Sequence, residues 1–287
     1  MTRLLVVGAG GMTGWELVSR ARARGFDCVG LERAQLDITD STAVKKSVER
    51  SEPHVIINAA AYTAVDKAEE DCALAMRING EGAGNLASAA EACGAAIVHI
   101  STDYVFDGTA STPYTPDHPT HPLGAYGQSK LAGEIAVKAQ SRRHAIIRTS
   151  WVFSHRGHNF VRTMIGKMSA GHTLKVVDDQ SGRPTAAGDL ADALLVVAQN
   201  FHEDRSLSGT WHFANAGATT WYEFAGTIFE MRGGSAAQLE PIDSAGYPTP
   251  ARRPPYSVLD TTSFEHTFGV TPRHWRDALR DTLEKMS

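Results

Sequence analysis

Apolar residues fall in short runs through the first 150 positions, and those runs alternate with stretches of helical period. RLLVVGAG (3–10) is apolar on both faces, which predicts a buried strand. MTGWELVSRARARG (12–25) repeats its apolar positions at helical spacing and stops at Gly25. FDCVGLE (26–32) predicts a second strand. DSTAVKKSVERSE (40–52) predicts a helix with Asp40 or Ser41 available as its cap. HVIINAAA (54–61) is strand-like, and CALAMRINGEGAGNLASAAEACG (72–94) reads as one long Ala-rich helix. AAIVHISTDYVF (95–106) and HAIIRTSWVF (144–153) predict strands on either side of a helix, AYGQSKLAGEIAVKAQ (125–140). Alternation of this kind predicts an α/β fold, a Rossmann-type doubly wound parallel sheet covered on both faces.

Beyond residue 150 the rhythm loosens. NFVRTMIGKMSAG (159–171) is helical, and the segment 173–201 runs strand, loop, helix. The segment 209–233 reads as a strand followed by a helix, and the tail 272–286 as an amphipathic helix. YPTPARRPPYS (247–257) is a Pro-rich loop with two adjacent arginines. We therefore expect residues 1–150 to form a dinucleotide-binding domain. Residues 151–287 should form mainly a smaller substrate domain, interleaved with the first and completing a cleft.

GAGGMTG lies directly between the first strand and the first helix, with Gly8, Gly11 and Gly14 in a G-x-x-G-x-x-G spacing. Glycines there permit a tight turn and a close approach of backbone to a pyrophosphate, and the helix N-terminus behind them, at Met12, faces the anion with free N–H groups. Glu32 and Arg33 end the second strand. A carboxylate at that place bonds a ribose 2′-hydroxyl and an arginine accepts a 2′-phosphate, so the pair does not choose between NADH and NADPH. Asp37 and Ile38 are candidate adenine contacts.

Tyr126 and Lys130 lie four residues apart and so share one helical face. Free tyrosine, with a pKa of about 10, is a slow acid–base group at neutral pH, and a nearby ammonium should lower that value. Such a phenol can pass a proton to an alcohol oxygen while a hydride moves. Upstream, Ser101 and Thr102 put hydroxyls at a strand's C-terminal end, the ligand crevice of an open α/β sheet.

Charge narrows the field further. With 28 basic and 32 acidic residues the net charge is −4, a poor match to general nucleic-acid binding. No apolar run reaches the roughly 18 residues of a membrane helix, and the N-terminus reads as a strand rather than a signal peptide. Three scattered cysteines, Cys28, Cys72 and Cys93, read as free thiols in a reducing compartment, so a cytoplasmic protein is expected. The pairs His118/His121 and His155/His158 lack acidic or Cys partners at ligand spacing, and no metal role is expected of them.

The glycine spacing, the alanines after Asn58, Thr102 and Tyr-x-x-x-Lys together resemble the extended short-chain dehydrogenase/reductases. NAAAYTAVDKAE (58–69), STDYVFDG (101–108), YGQSKLAGE (126–134), RTSWVF (148–153), DDQSGRPT (178–185), TTWYEFA (219–225) and YPTPARRP (247–254) are similar, in order, to the dTDP-4-dehydrorhamnose reductase family. The resemblance implies NAD(P)H-dependent reduction of the 4-keto group of a dTDP-6-deoxy-hexulose, with NADPH slightly favoured. It implies Tyr126 as proton donor, Lys130 as its partner and ribose anchor, and Thr102, with Asp103 beside it, at the sugar carbonyl. Asn58, Ala59, Ala60 and Ala61 should lie along the cofactor, and Thr63, Val65 and Trp151 should line the sugar pocket, although plain core is an alternative for Trp151. Arg252 and Arg253 could serve the diphosphate, or be a solvated loop pair. The place where sugar-nucleotide dehydratases carry a glutamate is Tyr104, which argues against dehydration.

Some members of the family hold magnesium at a dimer interface through carboxylates. Glu16 fits the first of those positions, but the expected acid after GRPTAA is Gly188, with Asp189 adjacent. Magnesium is therefore doubted, and the protein is expected to be a monomer or a homodimer. The competing readings are a reductase of another nucleotide-6-deoxysugar and a non-catalytic cofactor-binding regulatory subunit. Retention of Thr102, Tyr126 and Lys130 together argues against the second.

Overall fold

The computed structural model describes residues 1–168, 173–234 and 238–286. The N-terminal half alternates β1 (Arg3–Val7), α1 (Met12–Ala23), β2 (Asp27–Leu31), α2 (Ser41–Ser51) and β3 (Val55–Asn58). It continues through α3 (Cys72–Met76), a π-helical turn (Arg77–Glu81), α4 (Gly82–Cys93), β4 (Ala96–Thr102), α5 (Ala125–Gln140) and β5 (His144–Thr149). Asp40 caps α2, accepting from the backbone of Thr42 and Ala43. The Ala-rich run expected as a single helix is broken at its centre. The extra residue of the π turn brings Asn79 inward to full burial, a distortion that helical periodicity does not reveal.

The remainder forms β6 (Val152–Phe153), α6 (Phe160–Met168), β7 (Leu174–Val177), β8 (Ser181–Gly182), β9 (Thr185–Ala186) and α7 (Ala187–Glu203). After these come β10 (Gly209–His212), β11 (Thr219–Thr220), α8 (Trp221–Met231), β12 (Leu239–Ile242), α9 (Thr262–Phe268) and α10 (Trp275–Glu284). The helix expected over 159–171 is observed to Met168, and its last three residues lie outside the described ones.

Six strands form one parallel sheet in the order β10-β5-β4-β3-β1-β2. The inner strands are buried on both sides, so their alternate residues enter two different cores. Leu4, Val6, Ile57, Val98 and Ile147 face α1 and α7, packing on Leu17, Leu194 and Phe201. Leu5, Val7, Ile56, Ile97 and Ile146 face α2 and α4, packing on Val44, Val48 and Leu86. Each such side chain contributes about 1.5–3 kcal/mol of burial.

The chain after residue 150 serves two layers. α7 and β10 return to the large sheet, where β10 pairs with β5 and Phe201 joins the α1-side core. A separate core gathers Phe153, Val161, Phe224, Ile228, Trp275 and Leu279 from the short strands, α6, α8 and α10. Strand order reverses between β1 and β3, one connection leading to β2 and the next crossing to β3. The crevice outside the C-terminal ends of β1 and β3 is the place where such sheets bind ligands.

Candidate active site

Gly8 leaves β1 with φ +85°, and a Cβ there would lie 2.5 Å from the backbone nitrogen of Ala60. A Cβ on Gly14 would lie 2.0 Å from the carbonyl of Gly8. These two glycines let α1 and the β3 end close on the same turn, and alanine at either would prevent it. Gly11 is the N-cap of α1, and no side chain caps that helix. Its first-turn N–H groups are thus left for an anion, as a pyrophosphate requires. The glycine cradle therefore fits a dinucleotide.

A cavity of about 330 Å³ opens beside the cradle. Glu32, Arg33, Asp37, Ile38 and Ala59–Ala61, the residues proposed from the sequence as coenzyme contacts, all line it. Arg77 also lines it, from the π turn, and had no signal in the sequence. The Glu32 carboxylate lies against Gly10, where a Cβ would sit 3.2 Å from its Cδ. Asp37 accepts from the amide and hydroxyl of Thr39, which hold its carboxyl below the usual range.

One strand further along, β4 ends at Thr102, whose hydroxyl donates to Asp103 Oδ1 at 3.0 Å. The amide of Tyr104 donates back to Thr102 Oγ1 at 3.2 Å. α5 reaches this strand end because of Gly127, whose missing Cβ would lie 2.2 Å from the carbonyl of Tyr104. The same helix approaches the π turn at Gly133, where a Cβ would stand 2.2 Å from the Asn79 carbonyl. The two glycines of AYGQSKLAGE thus seat the helix, and Tyr126 packs its ring edge-on to Tyr104, two residues past Thr102, with centroids 5.7 Å apart. Asn79 locks the arrangement. It bonds the backbone of Tyr62 through both ends of its amide and donates to Ser129 Oγ at 2.9 Å, and Ser129 in turn donates to the Tyr126 carbonyl.

The electrostatics correct one expectation. Tyr126 is pushed up to about 12, chiefly by burial, against the pull of the Thr102 hydroxyl. The lysine does not lower it, because Lys130 Nζ donates to the carbonyl of Ile100 at 2.7 Å rather than to the phenol. Burial lowers Lys130 to about 8, and Glu134 one turn further along α5 raises it in opposition. Asp103 is 1% exposed, and burial lifts its carboxyl to about 6 against the Ser257 and Thr102 hydroxyls. Asn58 bonds His99 through its side chain and accepts from the Ala60 amide, fixing the β3 end.

The remaining candidates surround this centre. Thr63 is exposed and Val65 half-buried on the chain leaving β3. Trp151 is half-buried, sits at φ +48°, and stacks on Trp221 with centroids 3.6 Å apart. A non-glycine residue in that region is costly and clusters at functional sites. The two arginines diverge. Arg252 is exposed, whereas Arg253 turns inward to Asp66 at 2.8 Å.

The residues near Glu16 do not fit a magnesium ion. Glu16 Oε2 accepts from Arg20 at 2.8 Å, and its other oxygen lies 3.5 Å from His155 Nδ1. Arg20 also fills the space at position 188, where a Cβ on Gly188 would lie 2.6 Å from its guanidinium. Asp189 is held by Arg273 Nε and Nη2 at 2.8 and 2.9 Å and by Asn215. Guanidinium groups already neutralise the oxygens that an octahedral ion would need. Among the described residues no three His, Cys, Asp or Glu side chains gather to hold a metal.

A dinucleotide cradle after β1, with a hydroxyl, a phenol and an ammonium at the end of β4 two strands away, defines an oxidoreductase of the short-chain dehydrogenase/reductase type. The chain belongs to the family described as RmlD substrate binding domain, whose model matches residues 1–287. A dTDP-4-dehydrorhamnose reductase of Streptomyces griseus is 44% identical over 98% of this chain and 93% of that protein. A probable dTDP-4,6-dihydroxy-2-methyloxan-3-one 4-ketoreductase of Streptomyces antibioticus is 41% identical over 98% of this chain and 94% of its own length. The crystal structure of dTDP-4-dehydrorhamnose reductase from Bacillus anthracis in complex with NADP matches with a TM-score of 0.94 and 35% identity, covering 99% of this chain and all of that one.

Proposed function

We propose that this chain reduces the 4-keto group of dTDP-4-dehydro-L-rhamnose to dTDP-L-rhamnose with NAD(P)H. The observation that carries the reading is the seating of Tyr126 at the end of β4, its ring edge-on to Tyr104 two residues past Thr102, two strands from β1 and its glycine cradle. The bound coenzyme supplies the hydride. Thr102 turns its hydroxyl hydrogen from Asp103 Oδ1 to the sugar carbonyl and orients it. Tyr126 protonates the oxygen as negative charge develops there, and its raised pKa keeps the proton on the phenol until that moment. Lys130 anchors the ribose hydroxyls and places a positive charge below the phenol once the coenzyme has drawn it away from Ile100. The crevice between the large sheet and the small core of α6, α8 and α10 receives the nucleotide sugar, with Thr63, Val65 and Trp151 on its walls and Arg253 toward the diphosphate. Three free cysteines suit a reducing compartment, and we place the protein in the cytoplasm.

The similarity to a Streptomyces antibioticus ketoreductase of a different printed substrate keeps a second reading in view, a reductase of another dTDP-6-deoxy-hexulose. One assay separates the two. Purified protein is given dTDP-4-keto-6-deoxy-glucose, the matching 3,5-epimerase, and NADH or NADPH in parallel, with the product identified by NMR. Tyr126→Phe should lose turnover by about a hundredfold or more while still binding coenzyme, within the range for a lost general acid. Near-parental turnover in that variant would sink the assignment.

A further inference from the structure

We propose that Glu69 is a positioning residue for Tyr126, and that the short turn carrying it ties the catalytic helix to the Arg253 loop. The proposal rests on the reductase reading above. α5 begins without a side-chain cap of its own, because its N-cap is Gly124. The first N–H groups of any helix need an outside acceptor. Here the acceptor comes from a distant segment, since Ala125 N donates to Glu69 Oε1 at 2.8 Å. Gly124 is shaped to that contact, because a Cβ there would lie 2.5 Å from the same oxygen. A carboxylate at a helix N-terminus is also favoured by the helix dipole. Tyr126 is the next residue, so the atom that Glu69 fixes is one peptide from the proton donor.

The turn that bears Glu69 (Lys67–Glu69) is anchored at both ends. Ala68 at its centre is fully buried. Asp66, immediately before it, accepts from the amide of Ala251 at 3.2 Å and from Arg253 Nη2 at 2.8 Å. Four consecutive residues thus hold the arginine loop with one carboxylate and the start of the catalytic helix with another. Neither carboxylate belongs to the proton-transfer set. Their geometry makes the height of Tyr126 over the sugar pocket depend on where the 251–254 loop sits.

The test compares Glu69→Ala with Glu69→Gln. The alanine variant should lower kcat by about ten- to a hundredfold, the scale of a small misplacement of a reacting group, with KM for the coenzyme changed by less than about twofold. Gln keeps an acceptor oxygen, so that variant should recover most of the lost kcat. A merely structural residue would shift KM and thermal midpoint together, and Gln would not restore kcat selectively. Amide exchange supplies a readout independent of turnover. The Ala125 amide should exchange at least about tenfold faster in Glu69→Ala, with a shifted Tyr126 ring resonance. The proposal is overturned if Glu69→Ala keeps kcat within about twofold of the parent. It is overturned equally if Gln is as impaired as Ala, or if Ala125 exchange is unchanged. If the parent itself turns nothing over, the reductase reading falls, and Ala125 exchange with the Tyr126 resonance still decides the contact.

Discussion

Lys130 is the residue whose ionisation is expected to set the upper pH limit of activity. Its folded value of about 8 is depressed by burial, so the ammonium is present at neutral pH and is lost as pH rises through that value. The kcat/KM for coenzyme, measured in free enzyme, should therefore fall above about pH 8. A profile flat to pH 10 would show that Lys130 stays charged or contributes nothing. Asp103 titrates at the opposite end. Its folded value, about 6, lies above the unfolded one, so ionisation costs stability that is fully felt above about pH 6 and relieved as pH falls through the unfolded value near 4. Asp103→Asn should be more stable than the parent at pH 7 by about 1–3 kcal/mol in urea unfolding, with the gap closing toward pH 4. At the coenzyme pocket, Glu32→Ala should raise the NADPH-to-NADH ratio of catalytic efficiencies and Arg77→Ala should lower it, because each removes one sign of charge from the same cavity. An unchanged ratio in either variant would show that the residue does not face the ribose. Tyr126, Lys130, Thr102 and the cradle glycines were legible because their spacing carries the chemistry. Arg77 and Asn79 were not, because the turn that buries Asn79 and brings Arg77 to the cavity leaves the helical period of the sequence intact.

Among the elements, α5 carries the most. Tyr126, Lys130 and Glu134 recur every four residues on its sheet-facing side, and Glu134 closes a buried ion pair with Arg148 of β5. Both partners are almost fully buried, and Ser101 Oγ donates to the same carboxylate at 2.6 Å. Removing one partner leaves a buried charge unmatched. Glu134→Gln should cost about 3–5 kcal/mol in urea unfolding, whereas replacing Glu134 and Arg148 together by apolar residues of similar volume should be close to neutral. A cost under 1 kcal/mol for the single change would mean that water reaches the pair. The alternation of strands and helices was readable from hydrophobic pattern, since a buried parallel strand is apolar on both faces. Helix seating was not. Gly127, Gly133 and Gly188 look interchangeable in the sequence, and only the backbone or guanidinium opposite each one shows why it lacks a side chain.

For the molecule as a whole, the arginine-filled cluster around Glu16 and Asp189 predicts indifference to magnesium. Turnover in excess EDTA should stay within about twofold of turnover in millimolar Mg²⁺, and calorimetry should detect no specific Mg²⁺ site. Strong activation by Mg²⁺ would require Arg20 and Arg273 to vacate carboxylates that they hold at 2.8 Å. The place of β10 was the least legible feature at this scale. It is four residues long, and nothing in its pattern says that it joins a sheet whose previous strand ended sixty residues earlier.

That late strand has a consequence for how the protein is made. As synthesis proceeds, the first five strands emerge with β5 as an unpaired edge, and the sheet face bearing Leu4, Val6 and Ile147 lacks its α7 cover. Both gaps close only when residues 187–212 arrive. A nascent chain in that interval exposes a sticky edge and an oily face together, the condition under which edge-to-edge association competes with folding. A fragment ending at residue 150 should accordingly aggregate on expression, and more strongly in a light-scattering assay than the full chain refolded under the same conditions.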